Sequence, residues 1–188
     1  MKSNMKILKL FLLLVLTFSL ARAGDPPPEV FKQKGFTALA GLGILANNGA
    51  GFAAHLILGS QINEFQSIGV GIGTTGYDSL TAMPIFLDLR RYFLSGDLKP
   101  FLYAEPGYAL AWREHSDGNV GGVYLRTGAG LKAFIGTDFA FFFDGAFIYQ
   151  SASRKDITLV YNGFLYEPVQ TEYTTPYRSF QIEIGLAF

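Results

Sequence analysis

Ser179-Phe180-Gln181-Ile182-Glu183-Ile184-Gly185-Leu186-Ala187-Phe188 alternates without a break. Phe180, Ile182, Ile184, Leu186 and Phe188 share one face, and Ser179, Gln181, Glu183, Gly185 and Ala187 share the other. A period of two is that of a β-strand, whose successive side chains point to opposite sides of the sheet. Five large apolar groups on one face require a thick apolar medium, and Glu183 and Gln181 require water or a polar network opposite. That medium is either the core of a soluble sheet or lipid, since alternating segments of about ten residues are also the pattern of a membrane barrel.

The same alternation recurs upstream. Met83 to Phe93 sets Ile85, Leu87 and Leu89 against Phe86, Asp88, Arg90 and Tyr92. Pro100 to Arg113 sets Leu102, Ala104, Tyr108, Leu110 and Trp112 against Tyr103, Glu105, Gly107 and Ala109. Gly122 to Ile135 sets Val123, Leu125, Ala129, Leu131 and Ile135 against Tyr124, Arg126, Gly128, Gly130 and Lys132, and Phe139 to Gln150 sets Phe141, Phe143, Phe147 and Tyr149 against Asp144. The first half is small and apolar on both sides; Phe36 to Leu45, Gly51 to Gln61 and Phe65 to Thr75 complete eight strands. In the last of these Ile68, Val70 and Ile72 point out and Gly69, Gly71 and Gly73 point in. The fold class predicted is all-β: an eight-stranded antiparallel up-and-down transmembrane barrel, narrow enough to be filled by its own side chains.

Composition agrees. Of 188 residues 49% are apolar, 16% are charged and 22 are Gly, with no Cys. Soluble domains carry about 25% charged residues. Zero net charge gives no electrostatic footprint for nucleic acid, and the missing Cys excludes a disulfide framework and a thiol nucleophile.

Residues 1–23 read as a cleaved signal peptide: Lys2, Lys6 and Lys9, an apolar stretch from Leu10 to Leu20, then Ala21-Arg22-Ala23. Cleavage removes four basic residues and leaves a mature chain of about −4 net charge. Residues 24–34, with Pro26, Pro27 and Pro28, form a spacer unable to pair in a sheet, and residues 35–188 form the barrel. From a periplasmic N-terminus, short turns fall near Asn63-Glu64, Ser95 to Leu98 and Gly136 to Asp138. Longer outer connections fall mostly near Asn47 to Gly49, Gly76 to Ala82, Arg113 to Gly121 and Ala152 to Pro176. The last, with Tyr161, Tyr166, Tyr173 and Tyr177, reads as a hairpin continued above the membrane rather than as a dedicated binding loop.

On these residues the chain resembles the small outer-membrane β-barrel family, which includes the transmembrane domain of outer membrane protein A. The resemblance covers 35–188. It rests on Phe65-Gln66-Ser67-Ile68-Gly69-Val70-Gly71-Ile72-Gly73, on Met83-Pro84-Ile85-Phe86-Leu87-Asp88-Leu89-Arg90-Arg91-Tyr92-Phe93, on Lys99-Pro100-Phe101 through Gly107-Tyr108, and on the terminal Phe188. It implies a bacterial outer-membrane location, outer-membrane lipids as surroundings, and recognition of Phe188 as an assembly signal by the barrel assembly machinery. The peptidoglycan-binding domain of some relatives is expected to be absent, and the protein to be a monomer.

The inward face gathers the chemistry. Asp88, Glu105, Asp144 and Glu183 should lie at one height, with Arg90 and Lys132 slightly below and Arg126 above, as a lumen charge network. An unpaired charge there costs several kcal/mol, so the network reads as a structural plug of salt bridges, with a gated ion or proton path as the sharper alternative. Gly71-Ile72-Gly73-Thr74-Thr75-Gly76 matches a dinucleotide fingerprint only formally, because no helix follows to meet a pyrophosphate. His115-Ser116-Asp117 suggests a lipid-modifying triad, but three adjacent residues do not converge on one substrate atom, and they read as a loop. His55 is expected in the lumen; two distant histidines without cysteine argue against zinc. No cofactor, metal or catalysis is expected. The function expected is a structural or surface-interaction role. The alternatives are a narrow pore through the acidic layer and a soluble, lipocalin-like secreted barrel with its stripes turned inward.

Overall fold

A computed structural model describes residues 35–46, 50–77, 80–113, 121–135, 139–161 and 166–188. The proposed signal peptide and spacer, and the His115-Ser116-Asp117 triplet, lie outside the described residues. Eight strands follow one another: β1 (Gly35–Ala46), β2 (Ala50–Asn63), β3 (Gln66–Tyr77), β4 (Leu80–Tyr92), β5 (Leu98–Arg113), β6 (Gly122–Phe134), β7 (Ala140–Tyr161) and β8 (Tyr166–Ala187). Each pairs antiparallel with its neighbours in sequence, and β8 pairs with β1 to close a barrel.

The register fixes the barrel's dimensions. Following partners around the ring leads from Gly35 to Gln61, Ser67, Arg90, Tyr103, Gly128, Ala146 and Gln181, and back to β1 at Leu45, ten residues along. With strands about 4.8 Å apart and a rise of about 3.3 Å per residue, that stagger tilts them by about 40° and gives a backbone radius of about 8 Å. Such a bore is filled by side chains.

Glycine makes the filling possible. Phe86 stands opposite Gly71, Tyr103 opposite Gly128, Phe101 opposite Gly130 and Phe142 opposite Gly185, and each ring occupies the place a β-carbon of the facing glycine would take. Gly41 and Gly43 likewise leave room for Glu183 and Gln181. Gly71→Leu should therefore drive a side chain into the Phe86 ring. We expect a loss of about 1–3 kcal/mol, measured as a lowered urea midpoint of protein refolded in detergent.

Turns separate the strands at one end. Between β2 and β3 the Phe65 N–H donates to Asn63 Oδ1 at 2.9 Å. Between β4 and β5 Gly96 adopts a φ of 117°, a region open to glycine. At the other end, strands run to Tyr77 and start again at Leu80, so that connection is shorter than its sequence suggests. The 152–176 segment continues the hairpin as expected: β7 and β8 stay paired in an unbroken register from Ala140 and Ala187 out to Tyr161 and Tyr166.

Candidate functional site

Strand parity places the charged residues. β4 presents Phe86, Asp88, Arg90 and Tyr92 to the interior, and β5 presents Lys99, Phe101, Tyr103 and Glu105. β6 contributes Tyr124, Arg126 and Lys132, β7 contributes Phe142 and Asp144, and β8 contributes Gln181 and Glu183. Asp88, Arg90, Glu105, Arg126, Lys132, Asp144 and Glu183 are all below 5% exposed.

The register brings six of the seven into one continuous network. Glu105 lies directly opposite Arg126, and Asp144 directly opposite Glu183. Arg126 Nη1 donates to both Glu105 oxygens at 3.0 Å, while its Nη2 donates to Asp144 Oδ1 at 3.0 Å and to Glu183 Oε2 at 2.8 Å. One guanidinium thus serves three carboxylates on three strands. Arg90 donates through Nε to Asp88 Oδ1 at 2.7 Å and through Nη2 to Glu105 Oε1 at 3.3 Å. Glu105 joins the two halves. Arg126 does not stand above the acidic layer but within it.

The seventh residue, Lys132, lies nearer the short-turn end. It stands opposite Lys99, with its Nζ 5.6 Å from the Tyr92 ring and 5.0 Å from the Phe134 ring. Placing an ammonium over aromatic faces is favourable, and more so out of water.

Uncharged residues of the same parity complete the network. Tyr103 donates from its hydroxyl to Asp144 Oδ1 at 2.8 Å, and its ring lies 4.7 Å from the Arg126 and 4.9 Å from the Arg90 guanidinium carbons. Gln181 Nε2 donates to Glu183 Oε2 at 2.6 Å. His55 Nε2, reaching across from β2, lies 3.0 Å from Glu183 Oε1. The sequence signalled these three only through the face they share with the charges, where Tyr, Gln and His are not conspicuous.

Chemically, the layer is a buried cluster of ion pairs. Four carboxylates meet two arginines with a histidine at the edge, all out of water, and no carboxylate stands beside a nucleophile and a base as acyl-transfer chemistry requires. A buried network of this kind contributes little net stability over an apolar core but penalises the loss of any member.

No protein-family model and no curated protein matches the sequence. Solved structures do match. Neisserial surface protein A aligns with a TM-score of 0.56 at 14% identity, over 82% of this chain and 96% of that one. The N-terminal β-barrel domain of OprF from Pseudomonas aeruginosa aligns with a TM-score of 0.50, also at 14% identity, over 81% of this chain and 97% of that one. The fold is that of the eight-stranded outer-membrane barrels.

Proposed function

We propose that the protein is an integral outer-membrane barrel with a structural or surface-interaction role and no catalysis, its lumen sealed by the Asp88–Glu183 network. One observation carries the reading: the barrel is inside-out by soluble standards. Its ion pairs are buried, and Ile44, Val70, Ile85, Val123, Ile182 and Ile184 stand exposed on the outer wall. An apolar surface running around eight strands would not stay monomeric in water, whereas lipid covers it at no cost. A lipocalin-like barrel has the opposite arrangement. In unheated detergent samples the folded chain should migrate faster on a gel than the boiled one. Recovery in the periplasmic soluble fraction would overturn the proposal.

The pore alternative is weakened by the same burial, since the layer closes the bore with its ion pairs. Planar-bilayer recordings decide it. Any conductance reduced by Asp88→Asn and Glu105→Gln would locate the path in the layer and make the pore the better reading.

Phe188 is proposed as an assembly signal rather than a structural anchor. Its backbone closes the ring, accepting from Ala38 N–H at 3.0 Å and donating to Ala38 O at 2.9 Å, while its ring is 58% exposed and rests edge-on against Phe139. Any residue keeps those backbone bonds, and full burial of a Phe is worth only about 1.5–3 kcal/mol. Phe188→Ser should lower outer-membrane abundance in cells while leaving normal heat-dependent mobility after refolding in detergent. Wild-type abundance of the variant would make Phe188 an ordinary lipid-facing residue.

A further inference from the structure

Among the described side chains of the strands, two that carry charge face outward: Arg91 on β4 and Arg178 on β8. Alternation sets Arg91 on the wall and buries its neighbours Arg90 and Tyr92 in the lumen, so the lumen ion pairs are closed to it. Sharing the ten-residue stagger equally among eight strands gives each residue its height. Arg91 then stands about one residue, or about 2.5 Å, above Phe188 along the barrel axis, with Phe36, Phe65 and Phe93 slightly below Phe188. All four rings are exposed and mark the lower boundary of the lipid. Arg91 lies on the lipid side of that boundary, and Arg178 about 22 Å higher, at the other end of the apolar wall.

The surroundings of Arg91 suit a phosphate with a chain attached. Gln66 on β3 is its cross-strand partner and shares its outward face. Asn63 Nδ2 donates to Gln66 Oε1 at 3.1 Å, which leaves the amide N–H groups of Gln66 as donors beside the guanidinium. From this pair a groove of about 460 Å³ opens along the wall, a volume typical of ligand clefts. Exposed Ile68, Leu89 and Leu102 wall it, and the methyl group of Ala104, opposite Leu89, forms its floor. Ala104 lies about 8 Å above Arg91 on the barrel axis, so the groove runs from the guanidinium toward the middle of the membrane. The acidic side chains described at this rim, Glu64 and Asp97, belong to the turns lower down, and Glu64 is within electrostatic reach of Lys99.

We propose that Arg91 and Gln66 bind the phosphate of a phospholipid in the periplasmic leaflet, with one of its acyl chains lying in the groove up to Ala104. The inference rests on the membrane reading above and adds to it one defined lipid site on a wall that lipid otherwise covers without preference. Charge complementarity selects the occupant. The guanidinium fork presents paired N–H groups to two phosphate oxygens, and the Gln66 amide adds a further donor. A phosphodiester meets them at headgroup depth with its chains directed inward, along the line the groove takes. An acyl chain alone offers nothing to Arg91, and free phosphate offers nothing to Leu89, Leu102 or Ala104. A second copy fits less well, because a two-fold axis through this face would bring one Arg91 against the other.

The test uses the full chain refolded in detergent, phosphatidylglycerol as the probe, and intact-mass spectrometry of the barrel released from its micelle. One lipid should stay bound, with an occupancy that saturates. Arg91→Leu should weaken this binding about tenfold, the effect of losing a hydrogen bond to a charged group. Ala104→Phe, which fills the groove and keeps the arginine, should weaken it as well, while Arg178→Leu at the far end should leave it unchanged. Equal occupancy in Arg91→Leu and the unmodified protein, or an equal loss in Arg178→Leu, would overturn the proposal. So would displacement by inorganic phosphate as readily as by lipid, or concentration-dependent dimers that the lipid dissociates. The compact unheated gel band, recorded on every sample, separates the two readings. Its loss in the unmodified protein overturns the barrel, whereas its presence without retained lipid overturns only the lipid site.

Discussion

Protein carrying Arg126→Leu is expected to refold poorly or not at all in detergent, and any folded fraction to lose about 3–5 kcal/mol. The substitution leaves Glu105, Asp144 and Glu183 facing one another in the closed lumen, with Arg90 on Glu105 as the remaining cation and the His55 ring beside Glu183. That cost is a large fraction of the 5–15 kcal/mol typical of a whole domain. Arg126→Lys should recover only part, because a single ammonium cannot reproduce the fork that holds both Glu105 oxygens and two further carboxylates. Adding Glu183→Gln to Arg126→Leu should recover some stability by removing one buried charge. Urea midpoints from the heat-dependent gel shift measure all three. A wild-type midpoint for Arg126→Leu would show that the layer is incidental to folding.

The second large effect is expected at Ile184, on the opposite face of the same strand. Ile184 is 64% exposed and has Leu42 and Phe143 as cross-strand neighbours. Tilted strands rise about 2.5 Å per residue along the barrel axis, so an apolar belt of about 25 Å spans about ten residues. With Phe188 at the lower boundary, Ile184 falls near the middle. Ile184→Arg should cost about 2–4 kcal/mol in lipid bilayers, and the same change near the rim much less. The depth dependence is the informative part. For a barrel surrounded by water the arginine would be neutral at either height, so equal midpoints for Ile184→Arg and Phe188→Arg in vesicles would contradict the membrane reading.

Much of the outer wall was legible because lipid enforces strict alternation. Ile182, Ile184 and Phe180 have nowhere else to go, and the parity that exposes them assigns Glu183 and Gln181 to the interior. The first three strands gave a weak signal, since Gly41, Gly43, Gly69 and Gly71 carry no side chain to contrast with small outward residues such as Ala38 and Ala40. Their meaning lies on other strands, in Glu183, Gln181, Ile57 and Phe86, which fill the space they leave. The pairing inside the lumen was less legible still. Which carboxylate meets which arginine depends on the ten-residue stagger around the ring, and no local pattern encodes that. It is why Arg126 was expected above the acids it binds. Over 152–176 that alternation fades, and the segment is legible as a continued hairpin from its place between two strands rather than from any period of its own.

The hydrogen bonds between Ala38 and Phe188 also mean that the two ends of the barrel sequence lie side by side. A ring of eight strands keeps no record of where its thread begins. Joining residue 35 to 188 through a short linker and opening the chain instead between β4 and β5, at 93–97, would present the same eight ladders in a permuted order. The native order matters for delivery and timing, in that β1 must wait for β8. In the finished cylinder β1 and β8 pair antiparallel, as the other neighbours do.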